Sequence, residues 1–219
     1  MKILVFGGGS DLAQQIYTMQ RNTILVEHDA CDISRPKSVK KFIQAHKPEV
    51  VINCAGLVQS GLVKQQDFED WKNQVFTNLI GSFNIAQAAT NNDVKTIILV
   101  GSVTGLYGKP KYSAYSAAKA GVISLVQSLG MEGINAYCVS PARIDTKMRN
   151  KEFPNEDKRS RLTTHDVAKV IFDCINGKYR AGDNVIILKR KFRKITRVDS
   201  GQPWKEYLNI KPYETAKTI

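Results

Sequence analysis

The chain has 219 residues, 42% of them apolar, and a formal net charge of +12. That length and apolar content suit a single α/β domain over residues 1–219; no apolar run approaches the roughly 18 residues of a membrane span, and the run Ile3 to Phe6 meets glycines too soon for a secretory leader. Cys31, Cys54, Cys138 and Cys174 form no C-x-x-C pair, read as reduced thiols and point to a cytoplasmic protein; no metal site is expected.

Lys2 to Phe6 forms a first strand, followed by Gly7-Gly8-Gly9-Ser10-Asp11-Leu12-Ala13 and a helix from about Leu12 to Gln20. Strand, glycine turn and helix bring backbone N–H groups and a helix N-terminus up to a pyrophosphate. Any tight strand-to-helix turn also favours glycine, so this motif alone is weak. The second strand is Thr23 to Glu27, and Glu27 lies twenty residues beyond Gly7, where an acid meets the adenosine ribose hydroxyls. Asp29 is a second candidate. An acid there repels a 2′-phosphate and favours NAD over NADP. Asp32-Ile33-Ser34 leads into a helix with Pro36 in its first turn, capped by Ser34 or Arg35 and ending near His46.

Val50 to Gly56 is a buried strand with the ending Asn53-Cys54-Ala55-Gly56, and one long helix capped by Asp67 runs from Phe68 to Ala89 through Asn78. Thr96 to Gly101 is the next strand, closed by Ser102, and Val103 to Lys111 is a loop at its C-terminal edge, where open α/β sheets bind ligands. A helix then ends near Gly130, and a strand from Ile134 to Val139 leads into Ser140-Pro141-Ala142-Arg143-Ile144-Asp145-Thr146. Residues 147–163 carry six Lys or Arg against three Asp or Glu and read as a mobile polar flap over a substrate. Thr164 caps a helix from His165 to Ile175, Gly177 stops it, and Asn184 to Leu188 is the last clear strand. From Ile187 onward nine Lys or Arg face three acids; this basic extension, about 189–219, is either a solvated edge or an anion contact, with Trp204, Tyr207 and Leu208 packing back on the body.

Tyr115 and Lys119 stand four apart among small, helix-compatible residues, so a helix stacks them on one face. Such pairs are often mere surface neighbours. A tyrosine ionises near pH 10, but an ammonium one turn away favours the phenolate, making the pair a proton donor and acceptor near neutral pH. Ser102, at the preceding strand end, can meet the phenol and hold a substrate oxygen.

These motifs, in this order and spacing over roughly residues 1–190, resemble the short-chain dehydrogenase/reductase family. The resemblance implies a Rossmann-like doubly wound parallel sheet flanked by helices. It implies a catalytic tetrad of Asn78, Ser102, Tyr115 and Lys119: Tyr115 exchanges a proton with the carbonyl oxygen, Ser102 orients that oxygen, Lys119 holds the nicotinamide ribose and depresses the tyrosine pKa, and Asn78 holds a water beside Lys119. Gly7, Ser10, Asp11 and Leu12 would face the pyrophosphate, and Glu27 or Asp29 the adenosine ribose. Asp32 and Ile33 would meet the adenine; Asn53, Ala55 and Gly56 would flank the cofactor, with Pro141, Ala142, Ile144 and Thr146 at its nicotinamide end. The implied activity is NAD(P)-dependent interconversion of a carbonyl and an alcohol, with an anionic substrate (phosphorylated, carboxylated or nucleotide-linked) favoured by the basic flap and tail. A homodimer is the expected assembly, with neither membrane nor nucleic acid as partner.

Three departures stand out. The family's G-x-x-x-G-x-G turn keeps only Gly7, with Asp11 and Ala13 at the other glycine positions; a carboxylate at Asp11 weakens pyrophosphate binding unless it turns away to cap the helix. A strand–helix pair is missing after Glu27, a shortening similar to that of dTDP-sugar reductases. Pro141-Ala142 replaces Pro-Gly. A non-catalytic dinucleotide sensor, and further off a nucleotide-sugar reductase or epimerase, stay open as alternatives.

Overall fold

The computed structural model describes residues 1–189; the basic segment from Arg190 onward, with Trp204, Tyr207 and Leu208, lies outside the described residues. The apolar runs become β1 (Ile3–Phe6), β2 (Thr23–Val26), β3 (Val50–Asn53), β4 (Thr96–Val100), β5 (Ala136–Pro141) and β6 (Asn184–Ile187), all parallel, in the order β2-β1-β3-β4-β5-β6. Every residue of β1 is wholly buried, as a strand covered on both faces requires. Its alternate side chains feed two cores. Leu4 and Phe6 join Val39 and Ile43 of α2 (Pro36–His46), Ile85 of α4 (Gly81–Thr90) and Val122 of α5 (Ser113–Met131). Ile3 and Val5 join Ile16 of α1 (Asp11–Met19) and Val167, Val170 and Ile171 of α7 (Thr164–Ile175). The result is an α/β domain, a Rossmann-like sheet between two helical layers.

Three stretches depart from their expected form. The helix from Phe68 is capped by Asp67 as expected, but divides into α3 (Phe68–Val75), a π-helical turn (Phe76–Ile80) and α4. Polar side chains divide it: Asn78 Nδ2 donates to the carbonyls of Leu57 at 2.7 Å and Gln74 at 2.8 Å, and such one-turn π segments accommodate inserted bonds of this kind. Thr163, one residue before the expected cap, closes a capping box with Asp166 at the start of α7.

The third is the basic segment 147–163, expected as a mobile polar flap. It folds as α6 (Lys147–Glu152) and a short 3-10 turn (Lys158–Ser160) around Arg161, whose side chain is 0% exposed. Arg161 donates to Asp145 at 3.0 Å, to Glu156 at 3.0 Å, and to the carbonyls of Phe153 and Glu156 at 3.1 Å each. The segment is further tied by the Ile144–Leu162 bridge. A guanidinium is the one side chain with five donors in a rigid fork, so it can gather a strandless segment around itself.

Arg161→Ala would leave Asp145 and Glu156 without their buried partner. We expect a loss of about 3 kcal/mol in denaturant unfolding, the low end for breaking a buried pair because both acids touch solvent. A loss below 1 kcal/mol would mean that the clasp holds without it.

Candidate active site

A parallel sheet gathers the C-terminal ends of its strands on one edge, so the exits of β1, β3, β4 and β5 meet there. Gly7 has φ +78°, and a Cβ on it would lie 2.5 Å from the Ala55 amide nitrogen. Only glycine lets the β1 turn lie against the β3 exit. Ser10 caps α1, accepting from Ala13 N at 3.2 Å, while Leu12 is buried in the core and offers only its backbone. A Cβ on Gly9 would meet nothing but the Glu27 carboxylate, at 3.9 Å, so Glu27 faces the turn; Asp29 is exposed. Asp11, the first residue of α1, reaches across to α6: its Oδ2 accepts from Lys147 N, the first amide of that helix, at 2.6 Å.

At the second wall, Asp32 accepts from Ser34 N at 2.9 Å and pairs with Arg35. A cavity of about 560 Å³ lies beside it, lined by His28, Asp32, Leu57 and Phe76 among others. Ile33, expected against adenine, instead turns its side chain into the core beneath Gly81, where any Cβ would strike it. Asn53 is likewise spent on structure, donating to Ser82 Oγ at 3.0 Å and accepting from Ala55 N at 3.0 Å. Ala55 lines the turn beside Gly7, and a Cβ on Gly56 would lie 3.0 Å from Asn78 Oδ1 and 3.9 Å from Lys119 Nζ. Gly56 thus marks the gap that the two polar groups share.

The four expected catalytic side chains converge here. Ser102 Oγ accepts from Thr104 N at 3.2 Å and Thr104 Oγ1 at 2.9 Å. Both of its acceptor positions are filled, which leaves its proton to donate outward. It hydrogen-bonds the half-buried Tyr115. Lys119 is 4% exposed; its Nζ donates to the Val100 carbonyl at 2.8 Å and lies 5.6 Å from the Tyr115 ring centroid.

Burial, the largest influence, raises the Tyr115 pKa above the usual tyrosine range, and the opposing pulls come from Ser102 and then Arg149 rather than from Lys119. Lys119 donates to a strand carbonyl. Its own ammonium is pushed down to about 8 by burial, with the flanking thiols of Cys138 and Cys54 opposing weakly. At the β5 exit Pro141 ends the strand, Ala142 N donates to the Ile187 carbonyl at 2.9 Å and Ile144 pairs with Leu162. Thr146 caps α6, accepting from Arg149 N at 3.1 Å. Sequence reasoning missed Thr104 and the reach of Arg149; a hydroxyl two residues after Ser102 was the available signal for the first.

The sequence model of the family described as short chain dehydrogenase matches residues 1–157. Among curated proteins, the chain is 33% identical over 119 residues to a 3-oxoacyl-[acyl-carrier-protein] reductase FabG of Chlamydia muridarum, covering 50% of this chain and 48% of that one. It is 33% identical over 135 residues to a (3R)-3-hydroxyacyl-CoA dehydrogenase of Canis lupus familiaris, covering 55% and 52%. The chain spans about half the length of the curated relatives it matches. Among solved structures, ElxO with NADP bound superposes with a TM-score of 0.74 at 24% identity, over 85% of this chain and 97% of that one. At that identity the likeness speaks for the fold.

Lys119 gives the site a signature in stability. The unfolded chain holds the lysine proton to about pH 10.5, the folded chain only to about 8. Between those values the unfolded state binds more protons, so the contribution of Lys119 to stability rises with pH, by about 3 kcal/mol across the window. Cys54, Cys138 and Cys174, whose pKa values are raised, act the other way. Wild type and Lys119→Met share those thiols, so the difference between their unfolding free energies reports the lysine together with its pull on Cys54 and Cys138. Parallel curves would remove the desolvated ammonium.

Proposed function

The chain belongs to the short-chain dehydrogenase family, and from that premise we propose that it is an NAD(P)-dependent oxidoreductase interconverting a carbonyl and an alcohol. The observation that carries the reading is the Tyr115 phenol bonded to Ser102 at the sheet edge, one helical turn from a buried Lys119. The edge fits a dinucleotide: Gly7 and Gly9 leave backbone bare, α1 opens behind Ser10, and Glu27 faces the turn, which favours NAD. Asp11 is held off by the Lys147 amide. When bound, the nicotinamide supplies or accepts the hydride.

The protein's own part is proton handling and orientation. Ser102, with its acceptor positions filled by Thr104, donates to the substrate oxygen and stabilises its developing charge. Tyr115 gives that oxygen its proton in reduction and takes it in oxidation. Lys119 spends one N–H on Val100 and keeps two for ribose hydroxyls. Asn78 Oδ1, facing Lys119 across Gly56, is the acceptor through which a water can return the proton. The names of the two curated relatives share an oxo or hydroxy group on an acyl chain, and that carbonyl chemistry is what we carry over. Among the described residues no helix is long and apolar enough to cross a membrane. The free thiols support a cytoplasmic setting, and the exposed Phe76 and Phe83, beside the helix that holds Asn78, support a homodimer.

Tyr115→Phe should bind NADH and NADPH as wild type does, by calorimetry, yet lose at least 100-fold in turnover of a carbonyl panel followed at the nicotinamide absorbance. Wild-type binding without turnover of any panel member would leave a dinucleotide-binding protein; unchanged turnover in the variant would discard the tyrosine mechanism.

A further inference from the structure

Beside Tyr115 the segment around α6 docks on the loop before α5 through a stack of rings and cations. The Arg149 guanidinium lies 3.8 Å from the Phe153 ring centroid, and Lys109 Nζ lies 4.3 Å from the Tyr112 ring and 4.9 Å from Phe153. The two rings are stacked 14° apart. We infer that Lys109 and Arg149 head a carboxylate-binding subsite next to Tyr115, so that the carbonyl substrate is a free oxo acid or hydroxy acid carrying one negative charge. This rests on the oxidoreductase reading above and narrows its substrate.

Three observations converge. First, the carboxylates are overcommitted: Glu156 alone serves Arg143 at 3.3 Å, Arg149 at 2.6 Å and Arg161 at 3.0 Å. Glu152 touches the Tyr112 hydroxyl at 3.4 Å, and Asp145 is taken by Arg161. Four cations, Lys109 among them, therefore share three acids, and the other lysines of residues 147–163 leave the patch with a positive surplus. Second, Lys109 meets aromatic faces and makes no ion pair among the described residues, and burial, then Arg149 and Arg143, hold its ammonium below the usual lysine range against the smaller opposing pulls of Glu156 and Glu152. An ammonium so crowded gains most from an incoming anion. Third, Tyr112 of this stack lies three residues before Tyr115 at the start of α5, and the charge of Arg149 reaches the Tyr115 phenol, so the cluster lies beside the reacting oxygen. Between two desolvating rings a singly charged carboxylate costs less to bury than a phosphate dianion, and it is the group that matches.

Straight-chain oxo acids of three to eight carbons and their methyl esters, assayed with NADH and NADPH, separate the ideas. For the best acid, wild type should show a KM about tenfold or more below that of its ester at similar kcat. Lys109→Met, and independently Lys109→Gln, should raise the KM of the acid to that of the ester and leave the ester unchanged; Lys109→Arg should restore the preference. Turnover with equal KM for acid and ester would overturn the subsite and leave the oxidoreductase. If no compound turns over, the oxidoreductase reading is left to the broader carbonyl panel. Calorimetry of the same pairs then decides the subsite: acid bound tighter than ester in wild type but not in Lys109→Met supports it, and equal or absent binding overturns it.

Discussion

A charged lysine in the interior is the constraint around which the rest is arranged. An ammonium is taken out of water only where hydrogen bonds replace its hydration, and Lys119 has the Val100 carbonyl at the exit of β4. That contact fixes the depth of α5 against the sheet. It also demands clearance: Gly105 runs against the backbone of Lys119 so closely that a Cβ would come within 2.7 Å of it. The short turn after Ser102 can therefore lie flat on α5, which brings the Ser102 hydroxyl to Tyr115. The pair is aligned because the lysine is anchored.

The fold was largely legible in the chain. Apolar runs such as Ile3 to Phe6 and Thr96 to Val100 have no other use in a chain of this size than as strands buried on both faces, and their alternation with helices leaves a parallel sheet as the answer. Tyr115, Lys119 and Ser102 were legible because four-residue spacing and a strand end are local properties. What failed was what depends on tertiary partners that no local pattern reveals. Nothing in residues 147–163 announces that Arg161 is buried, because its partners are spread from Asp145 to Glu156 and its burial follows from the clasp that it creates. Asp11 gave no sign of reaching Lys147, 136 residues on. The π turn at Asn78 depends on the Leu57 carbonyl, set by the β3 exit.

The Asp11 contact changes the meaning of an apparent defect. A carboxylate where the family has glycine opposes a pyrophosphate if it faces the turn. Here it satisfies an orphan N–H at the start of α6, so the anion's charge is placed against the positive end of a different helix. The same bond ties the turn after β1 to the segment carrying Arg149. Loss of glycine at that position thus brings a link between the nucleotide edge and the substrate side, which a glycine could not have made.

That link bears on the tyrosine. Burial makes the Tyr115 phenolate costly, and a phenol held protonated is a good donor for reduction and a poor base for oxidation. Lys119, turned toward Val100, leaves the burial cost uncorrected; Ser102 and Arg149 are the groups that offset it. Ser102 is fixed by Thr104, but Arg149 is positioned by Glu156 at 2.6 and 2.8 Å and by the face of Phe153. The acidity of the reacting phenol therefore depends on how the 147–163 segment is seated, and through Asp11 on the nucleotide edge as well. In the proposed mechanism the acidity of the phenol is tied to a basic segment whose charges looked, from composition alone, like ordinary solvent-facing lysines and arginines.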